Sequence, residues 1–289
     1  MEDKFILFLK DNGLSDNTCE NYLRDVKQFK KYYFDSYGEE LNILIHADIL
    51  TYINYLKNHD MSALSINRKI SSLKQYNLFL LENNIQSNVV IQDKDYIKIQ
   101  KNNIKKQIPD EKEINKLLHT ACLDEKNNKR DYCFISIFVY GGLRETEILS
   151  IKLADIHFDR RVIGIIGKGN KYREVIINDI MYDAISQYID ERQQINTENP
   201  YLFLGQKNKN TLSPLSRNFG NRLLKKYNKI CNIGKLHPHI LRAYFCTRAL
   251  KIGYSIAQVA DQAGHSSLNT TKGYIGVKIE DMISLSNKM

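Results

Sequence analysis

The sequence predicts a mainly α protein of two domains, with a small antiparallel sheet in the second domain. Three observations predict this class. Apolar residues repeat at helical spacing through the first 85 residues, a polar stretch at 92–108 lacks that repeat, and two β-branched runs follow it. The length of 289 residues suits one large domain or two ordinary ones. We therefore assign residues 1–91 to a helical domain, 92–108 to a linker and 109–289 to a second domain.

Two apolar stripes indicate long helices in the first domain. One helix begins near Ser15, a good N-cap residue, and runs to about Tyr37. Its apolar residues are spaced by four, three and four positions: Tyr22, Val26, Phe29 and Tyr33. The second stripe consists of Ile66, Ile70, Leu73 and Leu80. Basic residues lie beside both stripes: Arg24, Lys27, Lys31, Arg68, Lys69 and Lys74. These basic faces are either solvated helix surfaces or lie along nucleic-acid phosphates, and periodicity does not decide between the two.

The second domain begins as a helix and is interrupted by a hairpin. Asp110 is placed to cap a helix, and Glu113 follows three residues later, as in a capping box. The runs 162–166 and 174–177 are β-branched and are joined by GKGNKYR, which is typical of a hairpin turn. A further helix is predicted to begin at a Ser-Pro pair, with Pro214 in its first turn.

Charge and composition restrict the class of partner. The net charge is +9 and the pI is near 9.1, and residues 109–289 carry 27 Lys and Arg against 19 Asp and Glu. This excess favours a polyanionic partner, nucleic acid before an anionic membrane. No apolar run approaches the roughly 20 residues of a membrane span, and the N-terminus does not fit a signal peptide. We therefore expect a cytoplasmic, nucleoid-associated protein.

The cysteines and the other metal-binding residue types do not indicate a cofactor. The five cysteines form no CxxC pair, so neither a disulfide framework nor a zinc site is expected. We interpret all five as buried thiols. No phosphate-binding glycine loop or convincing metal-ligand cluster is apparent, so we expect no cofactor and no metal.

Two segments in the first half of the second domain carry residues suited to phosphate chemistry. In GGLRETEILS, a double glycine ends one apolar helix and places Arg144 and Glu147 one turn apart at the start of the next. Taken alone, this pair fits a surface ion pair. In GKG, Lys168 lies at a hairpin tip, where lysines are usually solvated.

Two later segments add histidines, an arginine and a tyrosine. In HPHILR, His239 and Arg242 are three residues apart and share one face of a helix. In GHSSLNTTKGY, His265 is followed nine residues later by Tyr274, in a stretch that is poor in core-forming residues. Each segment alone is a weak signal, but their order and combination are specific.

Together, GGLRETEILSIKLADI, IGKGNKYREVII, HPHILRAYFCT and GHSSLNTTKGY resemble the tyrosine recombinase family, which includes phage-type integrases and Xer-type bacterial recombinases. The resemblance covers roughly residues 109–289 and extends more weakly to 1–100. It implies an N-terminal helical core-binding domain of the SAM-like class that clamps DNA. It also implies a mostly helical tyrosine recombinase catalytic domain with a small antiparallel sheet.

The resemblance gives a role to each motif residue. Tyr274 would attack a DNA phosphate, leaving a 3′-phosphotyrosine and a free 5′-hydroxyl. Arg144, Arg242 and His265 would hold the non-bridging oxygens, and Lys168 would protonate the leaving 5′-oxygen. Phosphoryl transfer requires chiefly positioning and positive charge, and an arginine can grip two oxygens at once.

Three further motif positions match a general base, match a supporting acid, and differ from the family pattern, respectively. His239 matches the general base, whereas His237 has the wrong spacing to Arg242 for that role. Glu147 matches an acidic position that supports the site without reacting. Ala243 stands where the family often has a second histidine, a position outside the core catalytic roles.

The resemblance also implies partners. These are double-stranded DNA with paired inverted-repeat core sites, and a homotetramer on two such sites. The tail 277–289 carries an apolar stripe, Ile279, Met282, Ile283 and Leu285, that either packs on its own domain or is exchanged between subunits. Basic residues of both domains are expected to contact DNA: Arg24, Lys27, Lys31, Arg68, Lys69, Lys74, Lys171, Arg173, Arg217 and Arg222.

The implied function is site-specific recombination through a 3′-phosphotyrosine and a Holliday junction. The absence of a further domain before residues 1–100 favours a Xer-like or transposon cointegrate resolvase role over a phage integrase that also binds accessory sites. One alternative is a type IB topoisomerase, which shares the nucleophile and the arginines. Another is a non-catalytic DNA-binding protein, against which the complete set of motif residues argues.

Overall fold

The chain forms two compact units, Met1–Ile104 and Lys105–Met289. The computed structural model describes residues 1–99, 108–124, 128–167, 170–195, 197–208, 211–234, 236–265 and 271. Both units are mostly helical and the second contains small antiparallel sheets, which confirms the predicted fold class. Within these ranges, no helix combines the length and the apolar content needed to cross a membrane.

The first unit is a cluster of four helices. They are α1 (Glu2–Asp11), α2 (Asp16–Tyr37), α3 (His46–Asn58) and α4 (Ala63–Glu82). Helix α2 begins directly after Ser15 and ends at Tyr37, before Gly38 in the left-handed conformation, so its predicted extent is confirmed. The predicted stripe on α4 is buried in the core of this unit, where aromatic rings from α1 pack against α4.

Lys69 corrects the predicted basic face of α4. Its side chain is buried, and the ammonium donates to Asp25 Oδ1 at 3.1 Å and to Gln28. Arg68 also pairs with Asp25, whose carboxylate is fully buried between α2 and α4. The physical reason is position: residue 69 lies one turn after Ile66 and belongs to the buried side of the helix. Lys69 therefore stabilises the helix packing and does not lie on an exposed surface.

Residues 92–99 of the predicted linker pack on the first unit, whereas Ile108 packs against the core of the second. His46 Nε2 lies 3.0 Å from a carboxylate oxygen of Asp95. The Asn67 side chain accepts from the backbone N–H of Ile97 at 2.8 Å and donates to its carbonyl at 2.9 Å. Residues 100–107 lie outside the described part of the chain.

The second unit surrounds one large hydrophobic core. Its helices are α5 (Glu111–Cys122), α6 (Asn128–Ser136), α7 (Glu145–Ser150), α8 (Asp179–Gln193), α9 (Phe219–Cys231), α10 (Pro238–Lys251) and α11 (Ile256–Ala263). The predicted capping box is present: Asp110 accepts from the backbone of Glu113, whose side chain accepts from the backbone of Asp110. Four cysteines are buried, but Cys122 is exposed at the end of α5, so its interpretation as a buried thiol is wrong.

The sheets agree with the predicted hairpin and add strands to it. Strands β1 (Ile156–His157), β2 (Val162–Ile166) and β3 (Tyr172–Ile176) form an antiparallel sheet in that order. Strands β4 (Leu204–Asn208) and β5 (Thr211–Pro214) form a second hairpin.

The predicted helix start at Pro214 is wrong. This proline is the last residue of β5, and α9 begins five residues later, at Phe219. The local Ser-Pro signal is overridden because residues 211–214 pair with β4. Proline is tolerated at this strand end, where a missing donor costs little.

Candidate active site

Arg144 is positioned by a sharp turn after α6. The end of α6 continues as one π-helical turn, Ile137–Gly141, and Gly142 follows with φ of +64°. A Cβ on Gly142 would lie 2.2 Å from the Phe245 ring, so the turn requires glycine for its conformation and for space. The chain then reverses, and Arg144 becomes the N-cap residue of α7.

Glu147 is the centre of an ion-pair cluster. Its side chain is 4% exposed, and Oε1 accepts from Arg144 Nη1 at 2.8 Å. Arg173, on β3, donates to both carboxylate oxygens at 3.1 and 2.9 Å. Burial would raise the pKa of Glu147, but hydrogen bonds from Arg173 and from the Arg144 backbone outweigh it and hold the pKa below its ordinary value. The carboxylate is therefore ionised, and this buried pair is not the surface ion pair of the simpler interpretation.

Arg242 brings a further guanidinium to the same place. It lies on α10, is 6% exposed, and donates from Nη1 to the Gly142 carbonyl at 2.9 Å. Burial and the neighbouring Arg144 charge lower its pKa to about 10, which leaves it charged at neutral pH. Three guanidiniums thus face one carboxylate among the described residues, because Arg173 also belongs to the cluster. The excess positive charge suits an anionic ligand.

His265 joins the cluster through the end of α11. Gly264 ends this helix with φ of +66°, and its carbonyl accepts from Arg144 Nη2 at 2.7 Å. A Cβ on Gly264 would lie 2.6 Å from the Arg173 guanidinium carbon, so a larger residue would displace that arginine. Burial lowers the pKa of His265 to about 4, and the charges of Arg242, Arg144 and Arg173 add to the effect. The imidazole is therefore neutral at physiological pH.

The structure brings together four of the predicted site residues and describes a fifth at the surface. Arg144, Glu147, Arg242 and His265 converge, whereas His239 is exposed in the first turn of α10, with its ring 6.4 Å from that of His237. The role of His239 as a base stays a prediction.

Lys168 and Tyr274 lie outside the described residues, but Gly167, next to Lys168, and Thr271, three residues before Tyr274, are described. A Cβ on Gly167 would lie 3.0 Å from Arg173 Nη1 and 3.6 Å from Glu147 Oε1, so the loop that carries Lys168 starts beside the cluster. Three residues before Tyr274 in the sequence, the buried Thr271 contacts His265, with 2.8 Å between Oγ1 and Nδ1.

The predicted DNA contacts fall into two groups. The exposed ones are Arg24, Lys27, Lys31, Lys171, Arg217 and Arg222. The others are at least half-buried, and of these Lys74 pairs with Asp93 and Arg68 with Asp25. Arg173 is a correction: its side chain is 10% exposed, with the guanidinium engaged by Glu147 and the Gln262 carbonyl. Sequence reasoning missed this supporting role. The available signal was strand alternation, since Arg173, Val175 and Ile177 point to one side and the last two are buried.

The described ranges offer no metal site. No group of three or more His, Cys, Asp or Glu side chains in them is arranged to hold a metal ion. What the cluster can do chemically is hold an anionic oxygen between guanidiniums and offer a neutral imidazole beside it.

We expect Arg173→Ala to destabilise the second unit. Glu147 would stay buried and would keep the Arg144 side-chain hydrogen bond but lose both hydrogen bonds from Arg173, and the hydrogen bond from Arg173 to the Gln262 carbonyl would also be lost. The free energy of unfolding should fall by about 2 kcal/mol. Scanning calorimetry would measure the change. The matched control is Arg160→Ala, because Arg160 pairs with Glu174 at the exposed edge of the same sheet. Equal effects of the two substitutions would contradict a stabilising role for the buried pair.

Family profiles match most of the chain. The profile described as the phage integrase family matches residues 107–280, and that of the phage integrase N-terminal SAM-like domain matches 3–84. A Bacillus thuringiensis protein named TnP I resolvase is 37% identical over 290 residues, covering 99% of this chain and 97% of its own. A tyrosine recombinase XerD of Staphylococcus epidermidis is 30% identical, covering 95% and 93%.

Solved structures share the fold at lower identity. The Tn1549 transposon integrase in complex with a circular intermediate DNA has a TM-score of 0.71 at 20% identity, covering 99% of this chain and 98% of its own. A lambda integrase dimer bound to a COC′ core site has a TM-score of 0.71 at 14% identity, covering 96% and 95%. At these identities the likeness concerns the fold.

Proposed function

This chain belongs to the phage integrase family and is a tyrosine recombinase, and we propose that it recombines specific DNA sites through a 3′-phosphotyrosine intermediate. The observation that carries the proposal is the cluster of Arg144, Arg242 and His265 around the ionised Glu147. It concentrates positive charge and hydrogen-bond donors where a phosphodiester would be held. The same cluster adjoins Gly167 and Thr271, which precede Lys168 by one residue and Tyr274 by three.

In the proposed reaction, the Tyr274 oxygen attacks the phosphorus of the scissile phosphodiester. A bond forms between that oxygen and phosphorus while the bond to the 5′-oxygen breaks. His239 accepts the phenolic proton, and Lys168 donates a proton to the departing 5′-oxygen. Arg144 and Arg242 stabilise charge on the non-bridging oxygens. The phosphotyrosine conserves the bond energy, so attack by a 5′-hydroxyl rejoins a strand without ATP.

The chemistry of His265 and Glu147 follows from their protonation states. A neutral imidazole acts on a phosphate oxygen as an uncharged N–H donor. The ionised Glu147 holds Arg144 through a 2.8 Å hydrogen bond and so fixes one guanidinium before DNA arrives. Such prior fixing avoids reorganisation during the reaction.

The proposed substrate is duplex DNA with paired inverted-repeat core sites, bound by a homotetramer in the nucleoid. Two strand exchanges through a Holliday junction would recombine two such sites. The charge excess of the second unit and the DNA complexes of the structural relatives support a DNA partner. Similarity over almost the whole length to a TnP I resolvase favours resolution of transposon cointegrates over integration.

A plasmid assay tests the function. The substrate carries two direct copies of the DNA that flanks the gene, including any inverted repeats of about a dozen base pairs. Site-specific recombination yields two smaller circles from this plasmid and leaves a plasmid without the sites unchanged. Relaxation of both supercoiled plasmids without new circles would identify a topoisomerase. Binding without any covalent adduct or product would identify a non-catalytic DNA-binding protein.

Lys168→Ala should slow cleavage of ordinary DNA by about 10²–10⁴-fold, the usual contribution of a general acid. A substrate with sulfur in place of the bridging 5′-oxygen has a leaving group that needs little protonation. Single-turnover cleavage of that substrate should therefore stay within about tenfold of the parent protein. A defect of equal size on both substrates would mean that Lys168 contacts the phosphate and that another residue is the acid.

The tail after Val277 lies outside the described residues, and we propose that it docks on a neighbouring subunit. Burying three or four apolar side chains would contribute several kcal/mol, about 25 cal/mol per Å², before ordering costs. That suffices to bias assembly on DNA but not to hold a tetramer in free solution. We expect the free protein to be monomeric, and a chain cut after Val277 to bind single sites but not to pair them. Sedimentation and gel-shift measurements test this, and normal recombination by the truncated chain would show that the tail packs on its own domain.

A further inference from the structure

Thr271 is a buried residue that sits against the imidazole of the site. Its relative exposure is 0%, and Oγ1 lies 2.8 Å from Nδ1 of His265, a normal hydrogen-bond distance. A threonine hydroxyl can donate or accept, so the contact alone is compatible with either histidine tautomer. The tautomer is therefore inferred from the charged groups around the ring and from the hydrogen bonds that a phosphate ligand can accept.

The surroundings leave His265 with a single ring proton. Among the described residues, the charged groups that affect its ionisation include three cations, Arg242, Arg144 and Arg173, and the anion Glu147. With burial, they hold the pKa at about 4, so protonation of both nitrogens is suppressed at neutral pH. The one proton is therefore either on Nδ1, which faces Thr271, or on Nε2.

The ligand of the site requires the proton on Nε2. Phosphate oxygens are acceptors, so a ring nitrogen with a lone pair would repel them, whereas an N–H stabilises them. If the proton were on Nδ1, the Nδ1–H would donate a hydrogen bond to the Thr271 oxygen. Nε2 would then carry a lone pair and could not donate to the phosphate. The useful tautomer thus requires the hydroxyl to act as donor.

We propose that Thr271 is a positioning residue that donates its hydroxyl hydrogen to Nδ1 of His265 and so holds the imidazole as the Nε2–H tautomer. The inference rests on the proposed function, in which this N–H meets a non-bridging oxygen of the scissile phosphate. Thr271 also precedes Tyr274 by three residues. The segment that leads to the nucleophile therefore sets the donor state of the phosphate-binding histidine.

The test compares two substitutions at residue 271 in the full-length chain. Thr271→Val keeps the shape and removes the hydroxyl, whereas Thr271→Ser keeps the hydroxyl. The control is Thr247→Val, because the Thr247 hydroxyl is buried and has no hydrogen-bond partner among the residues that the structure describes. The first measurement is the ¹⁵N spectrum of the histidine rings in the DNA-free protein at neutral pH. A protonated and a lone-pair nitrogen differ strongly in shift, and His265→Asn identifies the signals of His265.

We expect the Nε2–H tautomer in the parent protein, in Thr271→Ser and in Thr247→Val, and a shift toward the Nδ1–H tautomer in Thr271→Val. Cleavage of a nicked duplex should fall by about tenfold to a hundredfold in Thr271→Val alone, less than the loss of an entire oxyanion donor. An Nδ1–H tautomer in the parent protein would overturn the inference, as would an unchanged tautomer in Thr271→Val. Failure of the parent protein to form any DNA adduct would count against the proposed function and would leave the tautomer result standing.

Discussion

We expect Tyr274→Phe to abolish covalent attachment to DNA while leaving site binding intact. The substitution removes only the phenolic oxygen, which in the proposed reaction forms the bond to phosphorus. Loss of a covalent nucleophile removes most of the rate, so adduct formation should fall by more than about 10⁴-fold. Binding depends on contacts elsewhere and should change little. The assay is a denaturing gel of protein incubated with a nicked duplex that traps the cleaved strand.

The matched control for this substitution is Tyr254→Phe. Tyr254 is an exposed tyrosine shortly before α11, and it should form the adduct at the parental rate. A gel shift on intact duplex confirms that both variants bind. An adduct that survives in Tyr274→Phe would assign the nucleophile to another of the 18 tyrosines.

The second large effect is expected for Arg242→Ala. Its guanidinium is buried in the cluster and keeps its charge, with a pKa of about 10. An arginine that stabilises a phosphoryl-transfer transition state contributes about 10³–10⁵-fold in rate, so single-turnover cleavage should fall by that amount. Arg242→Lys should recover only part of the loss, because an ammonium cannot grip two oxygens as the planar fork does.

A folding defect must be separated from this chemical one, because Arg242 also donates to the Gly142 carbonyl. Thermal unfolding and gel-shift binding of each variant supply that separation. Arg248→Ala is the matched control: this arginine lies on the same helix but pairs with Glu111 at the surface, and its loss should leave cleavage unchanged. Cleavage by folded Arg242→Ala within tenfold of the parent would make Arg242 a structural residue.

Local signals in the sequence were sufficient for the starts of α2 and α5 and for the first hairpin. Ser15 and Asp110 stand directly before the helices that they predict, and Asp110 caps its helix through hydrogen bonds with Glu113, only three residues away. The hairpin of β2 and β3 was predicted by its β-branched runs and glycine-rich turn. Strands β4 and β5 were missed, and so was the role of Pro214, because their pairing competes with an equally local helix signal.

The resemblance found in the sequence predicted the site residues Arg144, Glu147, Arg242 and His265. It did not predict which of them contact one another. A surface ion pair and a buried one have the same spacing along a helix. Whether such a pair is buried depends on which residues pack over it. Arg173 packs over Glu147 from a strand 26 residues later in the sequence.

Only the tertiary structure decided which carboxylates pair with the buried basic residues. Lys69 and Arg173 both read as basic surface positions in the sequence, yet each is buried against a carboxylate, Asp25 and Glu147 respectively. Burial of a cation is favourable only when an anion from elsewhere in the chain meets it. That condition is set by packing over separations of 44 and 26 residues, so periodicity can place a basic residue on the buried side of its helix or strand but cannot identify the carboxylate that pairs with it.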